Sequence, residues 1–240
     1  MQNYSPQTPQ YDGWTVAQAN PETRADFIHK TYQHLALAIA GFIAIEALLL
    51  QIDPLWQASL QVMTRGWAWL LLLVGFGVVS SVAHRWAMDT VTPGRAYAGL
   101  VLYVVLEALL FLPLLAMVTH VIGDPSLIMQ AAWMTAIVFF GLTVTVLYTK
   151  AELTFLGGML RVGFFVALGL IAVSLLFGLS LGTWFSAAMI LFAGGSIAYE
   201  TSNMVHHYRP GQHVAAALGL FASVALLFWY VLRLVMQMRD

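Results

Sequence analysis

The sequence contains no cysteine. That absence excludes disulfides, thiolate zinc sites, iron–sulfur clusters and cysteine nucleophiles together. Charge is scarce as well: 9% of the 240 residues are Asp, Glu, Lys or Arg, against roughly 25% in an ordinary soluble domain. With 60% of the residues hydrophobic, so few charges cannot cover the surface of a soluble globule. The same composition is too apolar for a disordered chain. Lys+Arg number 10 and Asp+Glu 11, so there is no basic excess and no nucleic-acid partner is expected. Lysine is almost missing. Lys30 and Lys150 are the only two, and neither lies in the last apolar segment, where a retinal protein keeps its Schiff-base lysine.

What the sequence does have is long apolar runs. A hydrocarbon core of about 30 Å needs about 20 mostly apolar residues per helix. Seven stretches qualify: Thr31 to Leu50, Gly66 to Ala83, Ala96 to Thr119, Leu127 to Tyr148, Gly158 to Leu179, Thr183 to Met204 and His213 to Met236. Turn chemistry separates them at Asp53-Pro54, Pro93-Gly94, Asp124-Pro125, Gly178 to Gly182 and Arg209-Pro210-Gly211. The short fifth-to-sixth connection predicts a tight antiparallel hairpin. The fold class is therefore an all-α membrane protein with seven transmembrane helices, its one obligatory partner the lipid bilayer.

Residues 1–25 read as a polar tail and residues 26–240 as the seven-helix domain. The tail lacks the basic-then-apolar pattern of a cleaved signal peptide. A helix should begin near Asn20, which can cap, with Pro21 in the first helical position and Glu22 at the positive helix end. Residues 1–20 look too polar to pack in the bundle and are expected to be available to a partner. The basic residues set the orientation. With the N-terminus inside, the inner side carries Arg24, Lys30, Arg85, Arg95, Lys150, Arg161 and Arg209, and the outer side only Arg65, Arg233 and Arg239. That asymmetry predicts a cytoplasmic N-terminus and an external C-terminus. Trp56, Trp67, Trp69, Trp86 and Trp184 stand at span ends, as interfacial anchors do.

A charge at mid-bilayer costs about 2.5–3.5 kcal/mol on insertion scales, so each intramembrane carboxyl needs a partner or a task. Glu107 lies about 15 Å into the third span at 1.5 Å per residue. It reads either as an inward, hydrogen-bonded glutamic acid or as a proton-linked site. Glu46 and Arg233 both fall toward the outer ends of their helices and could pair there. Glu200 ends the sixth span in Ala198-Tyr199-Glu200-Thr201-Ser202-Asn203. The following turn concentrates His206, His207 and His213. Three imidazoles could hold zinc, but adjacent histidines at a helix end diverge, so no metal is assigned; a pH response of the turn is the better use of them. Enzyme signatures are missing: no His-Glu-x-x-His, no phosphate-binding glycine loop, and all six aspartates (Asp12, Asp26, Asp53, Asp89, Asp124, Asp240) outside the spans. The chain reads as a non-enzyme without a cofactor.

Three segments together resemble the Bax inhibitor-1 (transmembrane Bax-inhibitor-motif) family. They are Phe27-Ile28-His29-Lys30-Thr31-Tyr32-Gln33-His34-Leu35-Ala36-Leu37, then Tyr148-Thr149-Lys150-Ala151-Glu152-Leu153-Thr154-Phe155-Leu156-Gly157-Gly158-Met159-Leu160, then Tyr199-Glu200-Thr201-Ser202 at the place of the family's Tyr-Asp-Thr. The likeness covers most of the chain from about residue 25 and fits best the bacterial, YccA-like branch. It implies a central seventh helix surrounded by two three-helix layers, and an inner-membrane location. Two activities are implied. Members of that branch restrain the membrane-bound AAA+ protease FtsH, while others are pH-sensitive calcium leak channels gated by aspartates on the sixth and seventh helices. This sequence places Glu200 at the first of those aspartate positions and Ser223 at the second. The resemblance thus leaves at most a one-carboxylate latch for calcium or another cation, with Glu200, Ser223, Arg85 and Glu107 as its candidate residues, and it expects Glu200 to face Ser223. The protease reading loses nothing by this departure.

Overall fold

The structure, a computed structural model, describes residues 14–239. Among the described residues there is no strand. A 3-10 turn at Val16–Gln18 precedes α1 (Pro21–Leu49), α2 (Asp53–Thr64), α3 (Gly66–Ala87), α4 (Pro93–Ala116), α5 (Ser126–Thr149), α6 (Thr154–Phe177), α7 (Gly182–His206) and α8 (His213–Gln237). All but α2 are long and apolar enough to cross a membrane, and each covers one of the seven stretches picked out above. Hydrocarbon offers no partner for a bare N–H or C=O, so the apolar runs must satisfy their backbones internally as helices.

The start of α1 follows the sequence. The Asn20 side chain accepts the Thr23 N–H at 2.7 Å, and Pro21 takes the first turn, where a missing N–H costs nothing. With 29 residues, α1 is about 43 Å long at 1.5 Å per residue. It therefore outreaches a core of about 30 Å, and its first turns, with the exposed Asp26–Lys30 ion pair at 2.8 Å, stand clear of it.

Two segments depart from the sequence reading. The stretch after Asp53-Pro54 is the helix α2 rather than a plain connection. Its 12 residues are too few to span, and it packs on α3 and α4 at the face opposite the N-terminus. The second is the tail. Trp14 to Ala19 do not stay off the bundle: Val16 is fully buried in the main core, and its N–H donates to the Tyr208 carbonyl at 2.8 Å. Residues 1–13 lie outside the described residues.

At the far end of α4, Pro113 sits inside the helix and removes one ladder donor. The helix widens into a π-turn at Met117–Ile122 and stops at Gly123, whose φ of 72° is the left-handed conformation glycine adopts without strain. α8 is the centre of the bundle. It packs against α1, α3, α4, α5 and α7, and 72% of its most apolar window is buried, against 6% for α6. Ala215, Ala216, Ala217 and Gly219 line its first half and bring neighbouring backbones close. α6 touches α3 and α7 and gives the rest of its surface to lipid.

Candidate functional site

The motif Tyr199-Glu200-Thr201-Ser202 occupies the last two turns of α7, where four elements meet. Each side chain ties α7 to something different. The Tyr199 ring lies against Gly157 of α6, so close that a Cβ there would stand 2.9 Å from Cε2. Thr201 returns its hydroxyl to the Ile197 carbonyl at 2.8 Å within α7. Ser202 Oγ donates to the Ala151 carbonyl and accepts the Leu153 N–H, both at 2.9 Å, and so pins the α5–α6 connection to α7.

Glu200 points to α8. A Cβ at Gly219 would stand 2.8 Å from its Oε2 and 3.1 Å from its Cδ. The carboxyl thus rests on the α8 backbone in the space a side chain would fill. Oε2 is buried and has no hydrogen-bond partner, an uncommon condition for a buried polar atom.

The expected contact between Glu200 and Ser223 does not form. Ser223 Oγ donates to the Gly219 carbonyl at 3.0 Å and shares a 2.9 Å hydrogen bond with Ser196 Oγ. The reason is register. α7 and α8 run antiparallel, so four residues forward on α8 correspond to four residues back on α7. Gly219 then faces Glu200, and Ser223 faces Ser196, one turn deeper. Gly219 and Ser196 are the site residues that the sequence reading missed. An antiparallel hairpin count between α7 and α8 would have found them.

The remaining candidates lie apart. Arg85 is exposed in the last turn of α3 and forms no ion pair with Glu200. Glu107 is 5% exposed on α4, and its Oε1 accepts the Tyr103 hydroxyl at 2.9 Å from one turn earlier. That is the inward, hydrogen-bonded arrangement. Glu46 is 4% exposed, with neither carboxyl oxygen partnered, and the expected pair with Arg233 is not made. The three histidines diverge, as adjacent positions at a helix end must. His206 Nδ1 meets the Ser202 carbonyl at 2.9 Å, His207 lies 3.9 Å from Glu152, and His213 packs on His34 with ring centroids 4.9 Å apart. Among the described residues no three His, Cys, Asp or Glu side chains gather as a metal site.

Outside the spans, electrostatics fixes two turns. Asp89 between α3 and α4 accepts the Thr92 and Val91 amides, which hold its carboxyl below the usual range, with Arg95 adding to the effect. On the opposite face the Ser126 hydroxyl, the Ser126 amide and Arg239 do the same for Asp124. The second contact ties the end of α8 to the start of α5.

A family model described as "Inhibitor of apoptosis-promoting Bax1" matches residues 24–240. The chain is 38% identical over 123 residues to "Uncharacterized protein PA2604" of Pseudomonas aeruginosa, covering 51% of this chain and 55% of that protein. It is 36% identical over 107 residues to "Modulator of FtsH protease YccA" of Escherichia coli, covering 44% of this chain and 48% of that protein. The same Escherichia coli likeness includes a protein named "Inner membrane protein YccA". A more distant relative, the "Golgi anti-apoptotic protein" of vaccinia virus, is 28% identical over 229 residues, covering 92% of this chain and 90% of the viral protein. The match spans about half the length of the two bacterial relatives. No solved structure matches significantly.

Proposed function

The chain belongs to the Bax inhibitor-1 family, whose model covers residues 24–240, and on that basis we propose that it is an inner-membrane modulator of the AAA+ protease FtsH, without chemistry of its own. The observation that carries this reading is the likeness to the Escherichia coli modulator of that protease. On the basic-residue asymmetry, the face that bears the 3-10 turn and the α7–α8 turn is cytoplasmic.

The geometry supplies a way to engage such a protease without being consumed. An AAA+ protease pulls on a polar terminus. Here the base of the tail is clasped: Val16 is buried, its amide holds the Tyr208 carbonyl, and Arg24 donates to the Val16 and Ala17 carbonyls. A pull on residues before Trp14 meets this clasp first. Behind it stands a bundle closed around α8, which has to lose most of its buried surface before any span leaves.

The test is co-isolation from native membranes of the parent, a variant lacking residues 1–13, and Val16→Asp. The shortened protein should insert normally and bring down less protease. Val16→Asp should remain bound but be degraded faster, because a buried charge opens the clasp. Undiminished co-isolation of the shortened protein would move the contact from the tail to the helices.

A second reading has one observation in its favour, the unpartnered Glu200 oxygen at the α7–α8 joint. A carboxyl that rests on a bare glycine backbone can change partners as it gains or loses a proton. That would make Glu200 the single carboxylate of a pH-sensitive calcium or cation leak. Calcium entry into liposomes of the purified protein, flattened across pH by Glu200→Gln, would support it.

A further inference from the structure

The N-terminal face carries a cleft of about 430 Å³ between α1, α5, α7 and the docked turn, lined by Arg24, Lys150, His206, Ile28, Leu147 and Val205. We propose that this cleft binds the phosphate of an anionic phospholipid. The inference is independent of the protease reading and rests on charge, depth and the apolar wall.

The charge is of one sign. Among the described residues, no carboxylate comes within 4 Å of Arg24 or Lys150. Of the carboxylates on this face, Asp26 pairs with Lys30, Asp89 with Arg95, and Glu152 meets the Thr154 hydroxyl and lies toward His207, while Glu22 in the first turn of α1 forms no ion pair with Arg24 or Lys150. Arg24 spends Nε and Nη2 on the Val16 and Ala17 carbonyls, which fixes the guanidinium and leaves Nη1 for a ligand. His206 is oriented in the same way. With Nδ1–H donated to the Ser202 carbonyl, Nε2 offers the cleft a donor only in the imidazolium form. Lys150 caps α5 with φ at 51°, a left-handed backbone that glycine or asparagine would adopt more easily. The fixed guanidinium of Arg24 and the ammonium of Lys150 on its flexible stem are cationic donors that suit a tetrahedral oxyanion.

The depth is that of headgroups. Lys150 and His206 end two membrane-crossing helices on the same face. Tyr148, just before Lys150, is 88% exposed, and Trp14 of the docked turn is 61% exposed. Exposed aromatic residues at helix ends mark the membrane–water boundary, and basic pockets between helices at that level take lipid phosphates. The apolar wall distinguishes a lipid from a free anion: Ile28, Leu147 and Val205 continue from the basic rim toward the hydrocarbon. They offer the glycerol and first acyl carbons a surface that inorganic phosphate cannot use. A lipid seated here bridges α1, α5 and α7 and backs the clasp at Val16.

The experiment uses the full-length protein in neutral detergent, with thermal unfolding measured against short-chain phosphatidylglycerol, short-chain phosphatidylcholine or inorganic phosphate. Lys150→Asn is the informative variant, since asparagine accepts the left-handed backbone while the charge is lost. Lys150→Arg is the rescue, and Arg95→Gln removes a basic residue from the same face outside the cleft. Phosphatidylglycerol should stabilise the parent, Lys150→Arg and Arg95→Gln alike, and Lys150→Asn should bind it about fivefold more weakly, as expected for one cation at a lipid phosphate. Equal stabilisation by phosphatidylcholine, or unchanged binding by Lys150→Asn, overturns the site. Inorganic phosphate matching phosphatidylglycerol overturns its assignment to a lipid.

Discussion

Replacing Gly219 by alanine should destabilise the bundle, but only while Glu200 is present. The new Cβ would stand 2.8 Å from Oε2 and 3.1 Å from Cδ. Ordinary contact begins near 3.4 Å, so the carboxyl must retreat by about 0.6 Å. Its Oε2 is already enclosed, and forcing atoms into a packed interior costs about 1–3 kcal/mol. Against this, alanine gains up to about 1 kcal/mol over glycine in a helix interior. The net expectation is a loss of up to about 2 kcal/mol. In a Glu200→Ala background the obstacle is gone and only the helix gain remains, so the same substitution should stabilise by about 0.5–1 kcal/mol. The coupling between the two sites is then about 1–3 kcal/mol, the size found for residues in contact. Four proteins suffice: parent, each single variant and the double, with reversible unfolding measured in mixed micelles. At roughly 2–4 °C per kcal/mol for a chain of this length, the change of sign is readable as a melting-temperature shift. If Gly219→Ala has the same effect in both backgrounds, within about 0.5 kcal/mol, Glu200 does not rest on Gly219 and the register of α7 on α8 is wrong.

Gly99→Ala should be among the most damaging glycine substitutions, because its Cβ would meet the Ala83 carbonyl at 2.5 Å and the Ala87 nitrogen at 2.7 Å, both rigid backbone of α3. A loss of about 3 kcal/mol is expected, whereas Gly75→Ala, with nothing within 4 Å, should cost nothing in the same unfolding assay. Asp124 is held below the usual carboxylate range by the Ser126 hydroxyl first, then the Ser126 amide and Arg239. Its contribution should therefore be complete well above the ordinary aspartate value of about 3.9 and be lost as pH falls through the lower folded value. The stability difference between the parent and Asp124→Asn should accordingly vanish in acid and reappear at neutrality; a pH-independent difference would refute the pairing. With no native cysteine, Thr90→Cys should be shielded from an impermeant thiol reagent in intact cells and Ser180→Cys labelled. The reverse pattern would invert the topology.

The seven spans were legible because hydrophobic length is a property of the local sequence, and the cap at Asn20 was legible because its chemistry lies within four residues. α2 was hidden for the opposite reason. Its 12 residues are too short and too mixed to register as a span, and its helical state depends on packing against α3 and α4. Val16 was hidden because one valine in a polar tail carries no periodicity; only the Tyr208 carbonyl, far along the chain, gives it a place. At the candidate site, Glu200 was legible as an intramembrane carboxyl, but its partner was not. A glycine announces no chemistry, and Ser223, which does, proved to belong to Ser196. Residue type pointed to the serine, while helix register chose the glycine.

The restraint of a membrane-bound AAA+ protease proposed for this protein can be measured by reconstituting FtsH into proteoliposomes with and without the purified protein and following the degradation of a membrane-embedded substrate at fixed ATP. Degradation should slow as the protein is added, the protein itself should stay intact, and removing residues 1–13 should weaken the effect. A degradation rate unchanged at excess of the protein would refute the proposed restraint.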